Sequence, residues 1–233
     1  GTLYGCMDSS VIDAKGEIAA FCDSADQWLP LVCVMNVTVV TEQVRAMFGW
    51  ELDELEAQIL ATQPGAQGLQ FLPYLTGERT PNLPDASGVI HGLTVENMTA
   101  GNVGRAAMEG ATLGLAYGLK RFRELGMSPS EIRMTGGGSN SAAWRQIAAN
   151  VFGVSVVALA TAEGAGLGAA IQVAQLVLRE NGGDDSYVSL TDRLVKLDES
   201  TRCQPEPQWV EFYEEKLNCQ IKLTLCLKQA GLL

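Results

Sequence analysis

Basic residues are scarce in this chain. Its 233 residues hold 16 Lys and Arg against 27 Asp and Glu, for a net charge of −11. Nucleic acids and anionic membrane surfaces are held by basic patches, so neither is an expected partner. Histidine is nearly absent, with His91 standing alone. The six cysteines, Cys6, Cys22, Cys33, Cys203, Cys219 and Cys226, include no C-x-x-C pair. That set offers no zinc-type ligand pattern, and free thiols in a reducing cytoplasm are expected over a disulfide framework. No apolar run is long enough to span a bilayer, and no signal-peptide pattern opens the chain. The opening Gly1-Thr2-Leu3-Tyr4 is strand-like with no lead-in, as expected of a domain cut from a longer protein. What the chain does have is core material, with 47% hydrophobic and 18% charged residues. That suffices for one large domain or two small ones.

The most informative stretch runs from Met134 to Gln146. Three consecutive glycines, Gly136, Gly137 and Gly138, follow the β-like run Ile132-Arg133-Met134-Thr135. Ser139, Asn140 and Ser141 are N-cap types. Trp144, Ile147, Ala148 and Val151 then fall on one face of a helix. The pattern is strand, glycine turn, helix N-terminus. Glycine admits positive φ and close approach of another group. The first-turn N–H groups and the helix dipole favour an anion or a polar ligand. A tight turn with no ligand is the competing expectation, since short glycine runs are weak signals.

The run Gly136-Gly137-Gly138-Ser139-x-Ser141-x-x-Trp144-Arg145-Gln146, ending near Phe152-Gly153, resembles the adenosine motif of the FGGY carbohydrate kinase family. Phe71-Leu72-Pro73-Tyr74-Leu75-Thr76-Gly77-Glu78-Arg79-Thr80-Pro81 resembles the xylulose kinase branch of that family. Gly88-Val89-Ile90-His91-Gly92-Leu93-Thr94 follows at the family's distance. The resemblance runs from about Gly1 to the C-terminus and covers only the second lobe of such a kinase. It implies an α/β fold of the actin-like ATPase (ribonuclease H-like) kind, second of two lobes, with residues 1–233 as the C-terminal nucleotide-binding lobe and 1–36 as a β meander leading in.

The resemblance also implies a chemistry. ATP would donate its γ-phosphoryl group to a pentulose, first D-xylulose, with ribulose or gluconate behind. The catalytic aspartate, the sugar contacts and most of the Mg²⁺ site lie in the family's first lobe, so no catalytic residue is assigned here and the fragment alone is expected to be inactive. Mg²⁺ would be held mainly through the phosphates and that other lobe. The implied nucleotide contacts are Gly136, Gly137 and Gly138 by backbone approach, with Ser139, Asn140 and Ser141 as hydrogen-bonding groups, and Ser141 at the position that reads adenosine. Gly77 would lie by the phosphates, with Glu78, Arg79 and Thr80 in a loop facing the cleft between lobes. Gly1-Thr2 resembles the remains of a phosphate-binding Gly-Thr-Ser loop. Leu3 replaces its serine, so Thr2 is either a phosphate contact or an ordinary strand-end threonine. Expected partners are ATP or ADP and, through the other lobe, the sugar. Dimers are common in the family, so a homodimer is an expectation that nothing in the sequence locates. Two competing classes are an actin-like binding or chaperone module, and an interaction domain whose glycine turns are merely structural.

Elsewhere, strands are expected over Leu3–Met7, Ser9–Ala14, Glu17–Cys22 and Trp28–Val34, with Lys15-Gly16 a turn. Helices are expected over Val37–Phe48 and Leu52–Leu60, with Asp53, Glu54 and Glu56 as a solvated acidic face. Thr99 should cap a long buried helix, roughly Ala100 to Leu125, ended by Gly126. Glu109 within it needs a partner, and Arg79 or a loop N–H near the nucleotide is the expectation. Val154–Leu159 reads as a buried strand. Trp144 stands beside the base or in the core, and its apolar face favours the core. Gly164, Gly166 and Gly168 mimic a dinucleotide fingerprint, but close helix packing is the better expectation. Asn181 to Ser186 reads as a polar loop. Gln208–Leu227 reads as a final helix docked on the outside, with Cys219 and Cys226 on one inward face.

Overall fold

In the computed structural model, which describes every residue except Ala162, Asp184 and Asp185, the opening segment is an antiparallel meander. β1 (Thr2–Tyr4), β2 (Ala19–Cys22) and β3 (Trp28–Cys33) lie in the order β1-β3-β2. Thr2 sits opposite Cys33, and Cys22 opposite Trp28. The strand expected over Ser9–Ala14 does not form. The Asp13 carboxylate accepts the N–H groups of Lys15 at 3.1 Å, Glu17 at 2.8 Å and Ile18 at 3.0 Å, which bends the chain around that side chain. Gly16 takes the turn at φ 70°.

α1 (Thr38–Phe48) buries Val40 and Val44, and α2 (Leu52–Leu60) buries Leu55 and Ile59. Phe48 falls outside that buried face and stacks on Trp50, ring centres 4.7 Å apart. β4 (Gln70–Leu72) pairs antiparallel with β5 (Val89–His91).

α3 (Ala100–Glu124) is the spine of the domain. Thr99 Oγ1 accepts the Asn102 N–H at 3.3 Å, and Gly126 closes the other end at φ 91°. Its small residues let neighbours come close. A Cβ at Gly110 would lie 2.1 Å from the Phe71 carbonyl oxygen, and one at Gly118 would lie 2.5 Å from Val32 Cγ1. The helix therefore touches the first sheet, α1, α2 and β4 at once.

β6 (Glu131–Met134) runs parallel to β7 (Ser155–Leu159), with α4 (Ala142–Phe152) between them. β8 (Leu197–Cys203) adds an antiparallel edge. This strand has no apolar alternation. Arg202 instead ties it to Glu131 at 2.6 Å, so an edge position rather than a core holds it in place.

α5 (Gly164–Glu180) packs against α6 (Tyr187–Leu194). The close packing expected at Gly166 and Gly168 is not found, because a Cβ at either would meet nothing within 4 Å. The loop read over residues 181–186 falls partly outside the described residues. α7 (Pro207–Gln229) lies over α3 and α4 and buries Tyr213, Leu217, Gln220 and Thr224. Those four follow helical spacing. Cys219 and Cys226 lie off that line and are exposed, not on an inward face. Among the described residues no helix is long and apolar enough to cross a membrane.

Candidate functional site

The segment that leaves β3, residues 34–37, ties three of the expected loops together. Val34 donates its N–H to the Gly1 carbonyl at 2.9 Å, which places Thr2 at this end of the meander. Asn36, 1% exposed, donates to the Gly77 carbonyl at 2.6 Å and to Glu78 Oε2 at 3.0 Å. Val37 packs against the cluster of Ala143, Trp144 and Ile147 at the start of α4.

Glu78 is buried and fully engaged. Its Oε1 accepts the N–H groups of Met35 at 2.7 Å, Arg79 at 2.7 Å and Thr80 at 3.4 Å. A carboxylate surrounded by N–H donors is stabilised without a counter-cation. Gly77 holds φ 67°, and a Cβ there would sit 2.0 Å from the Pro84 carbonyl oxygen, so the turn requires glycine. Its own N–H donates to Ala86 O at 3.2 Å, and that of Glu78 to Leu83 O at 2.7 Å. The backbone donors of Gly77, Glu78, Arg79 and Thr80 are thus used within the loop. Thr80 is buried, and a cis peptide bond joins it to Pro81. Arg79 is exposed, and its guanidinium makes no hydrogen bond or ion pair with the described residues. It is the outward charge of this loop.

The glycine turn after β6 is built from its own backbone. Gly136 adopts φ 81° and ψ −177°, a conformation essentially confined to glycine. The 3-10 turn Gly137–Asn140 follows, closed by Ser139 N–H to Gly136 O at 3.0 Å. Ser139 is buried, and its Oγ donates to the same carbonyl at 2.7 Å. Arg145 donates to Ser139 O at 2.6 Å. Gly136, Gly137 and Asn140 are exposed, and a Cβ at either of these glycines would meet nothing within 4 Å. Their outer face is open surface.

The N-terminus of α4 is occupied. Ser141 caps it by accepting the Trp144 N–H at 3.0 Å. Glu56 of α2 accepts both the Ser141 hydroxyl and the Ala143 N–H, the latter at 2.8 Å. The helix dipole therefore already faces a carboxylate. This corrects two expectations. Glu56 is not part of a solvated acidic face, and the first turn of α4 is not free to take an anion. Trp144 is core, 5% exposed, with Nε1 donating to Thr112 Oγ1 at 3.0 Å.

Glu109 does not pair with Arg79. Its Oε1 accepts Arg105 Nε at 2.8 Å, the Gly65 N–H at 2.9 Å and the Tyr213 hydroxyl at 2.7 Å. Burial, and then the neighbouring Glu109 charge, push the Tyr213 hydroxyl far above the usual tyrosine range. This cluster joins α3, α7 and the turn before β4. Nothing local in the sequence marks Asn36 or the inward role of Glu56. Asn36 only ends a strand, and Glu56 sits in an acidic helix.

Residues 25–175 match the C-terminal domain of the FGGY family of carbohydrate kinases. A xylulose kinase of Haemophilus influenzae is 38% identical over 214 residues, which are 92% of this chain and 42% of that relative. The chain thus spans about two fifths of the length of this curated relative. The crystal structure of xylulose kinase from Bifidobacterium adolescentis superposes with a TM-score of 0.76 at 31% identity, covering 92% of this chain and 41% of that one. The structure of xylulose kinase from Rhodospirillum rubrum gives a TM-score of 0.84 at 25% identity, covering 98% of this chain and 45% of that one. The α/β fold is the actin-like ATPase fold, as the second lobe of a sugar kinase. By its sequence match and its fold, the chain belongs to the FGGY family of carbohydrate kinases, of which it carries the C-terminal domain.

Proposed function

We propose that residues 1–233 form the ATP- and ADP-binding lobe of a kinase that phosphorylates D-xylulose to D-xylulose 5-phosphate. The sugar-binding lobe, with the aspartate that takes the hydroxyl proton, is a separate part of the full protein in this proposal. One observation carries the nucleotide assignment. The open glycine face at Gly136 and Gly137 ends a strand, and residues 34–37 tie that end of the domain to the Arg79 loop. Similarity to xylulose kinases along most of the chain supports the choice of sugar.

Phosphoryl transfer asks a protein mainly for positioning and for charge to offset the phosphates. Gly136, Gly137 and Gly138 would let the nucleotide lie against the backbone, with Asn140 at the rim. Ser139 and Ser141 hold the turn from beneath. Gly77, Glu78 and Thr80 shape the opposite loop, and Arg79 supplies its cation. Thr2 lies at the same end, at the phosphate side in this proposal. Mg²⁺ keeps several waters and binds through one or two carboxylates and the substrate's phosphates, so in this proposal it would be held mainly through the phosphates and the other lobe. An enzyme of this kind works where ATP is, in the cytoplasm.

Calorimetry of ATP and ADP with this chain, with and without Gly137→Val, tests the lobe. Binding that the variant abolishes supports it, and binding that the variant leaves intact overturns the glycine face as the site. ADP release by the full protein on D-xylulose, ribulose and gluconate tests the sugar, with D-xylulose expected to give the highest kcat/KM.

A further inference from the structure

Among the described residues, the hydrogen bonds that residues 76–80 make outside the loop 73–88 end on residues 35 and 36 alone. Met35 supplies one, its N–H to Glu78 Oε1 at 2.7 Å. The Asn36 side chain supplies the rest. Its Nδ2 donates to Gly77 O at 2.6 Å and to Glu78 Oε2 at 3.0 Å. Its Oδ1 accepts the Thr76 N–H at 3.3 Å and the Thr76 hydroxyl at 3.2 Å. Both amide protons and the carbonyl oxygen are thus spent on this one loop. Asn36 is itself rigidly held. It follows β3, the central strand of the meander, and the flanking Val34 is 1% exposed while Val37 packs on the cluster at the start of α4.

We infer that Asn36 is the positioning residue for Arg79, aiming its guanidinium at the phosphates of the nucleotide. The inference rests on the reading of this chain as a nucleotide-binding lobe. The path is short. Asn36 holds one oxygen of the Glu78 carboxylate, and the other oxygen accepts the Arg79 N–H at 2.7 Å. Asn36 also holds the carbonyl of Gly77, so both the main chain and the side chain of the residue before Arg79 are fixed by the same amide. Arg79 itself is exposed. Its backbone is therefore set from the strand end while its charge is left free for a ligand, which is the arrangement that precise positioning of a binding group requires. The position is specific for an amide. Aspartate would lack both donors and would bring a second carboxylate against Glu78, and leucine, of similar shape, would offer neither donor nor acceptor.

The test is a double-mutant cycle on the full protein, with ATP binding read by calorimetry well below the Tm of each variant. Asn36→Leu is expected to weaken ATP binding about tenfold, the loss of one charge-assisted hydrogen bond to phosphate. In the Arg79→Ala background the same substitution should have no further effect, because Asn36 acts through Arg79. A merely structural role would weaken binding equally in both backgrounds, and that result overturns the inference. So does ATP binding that Asn36→Leu leaves unchanged. Absence of ATP binding by the unaltered protein overturns the nucleotide reading itself and the inference with it. Should Asn36→Leu fail to fold, Asn36→Ala carries the same cycle.

Discussion

Ser141 donates its hydroxyl to Glu56, and the same carboxylate accepts the Ala143 N–H at 2.8 Å. Two helices distant in sequence thus share one cap, and the glycine turn is held between them. Glu56→Ala leaves the Ala143 N–H without this partner and weakens the Ser141 cap. The expected cost is about 1–2 kcal/mol, read by urea denaturation. An unchanged midpoint would mean that Glu56 does not hold the turn.

Glu78 and Arg79 are neighbours with opposite roles. Glu78→Ala removes the acceptor for Met35, Asn36, Arg79 and Thr80. It should cost roughly 2–3 kcal/mol, because buried donors lose a charged partner. Arg79→Ala should change stability by no more than about 0.5 kcal/mol while weakening ATP binding. Calorimetry and denaturation on both variants separate the two roles. Arg79→Ala with intact affinity would remove it from the phosphate site.

The three glycines of the turn are not equivalent. Gly136 has φ 81° and ψ −177°, so Gly136→Ala should cost about 1–3 kcal/mol. Gly137→Ala enters open space, with nothing within 4 Å of the added Cβ, and should be nearly neutral for stability. Melting curves of the two variants side by side check this order.

Glu109→Ala should be among the most damaging single changes. It strands Arg105, 8% exposed, with no carboxylate beside it, at about 3–5 kcal/mol. In folded protein at low temperature, nucleotide affinity should be unaffected. A selective loss of ATP binding with normal stability would return Glu109 to the ligand site.

Acid should loosen the meander. Burial alone would raise the Asp13 pKa, but the N–H groups of Lys15, Glu17 and Ile18, together with Arg121, outweigh it and hold the group below the usual aspartate value. A depressed folded pKa gives stability that is fully present above the unfolded value near ~3.9. That stability is lost as pH falls from there through the folded value. Tm should therefore drop below about pH 4, and Asp13→Asn should lower Tm at neutral pH and flatten that acid limb. An identical acid limb in the variant would exclude Asp13 as its source.

Much of this protein was legible in local pattern. Apolar periodicity marks α1, α2, α4 and α7 within a few residues, since one face of each must be buried. Thr99 and Gly126 bounded α3 because capping is a short-range interaction. The motifs around Gly77 and Gly136 were enough to expect the family that the comparisons show. Local pattern failed where a distant side chain decides the outcome. Ser9–Ala14 has strand composition, yet Asp13 turns the chain. β8 has no strand pattern, yet pairing with β7 and the Arg202–Glu131 bond place it on the sheet.

The sequence by itself determined which segments could be helix and where the glycine turns fall. Both depend on backbone conformational preference and on spacing of a few residues. Only the tertiary structure decided which polar groups are spent inside the fold and which face outward. Glu56, Glu78 and Glu109 turned inward to donors 85, 42 and 104 residues away, at Ser141, Asn36 and Tyr213. Arg79 and the Gly136–Gly137 face were left open. A buried carboxylate must find donors wherever the fold supplies them, and chain distance has no part in that requirement.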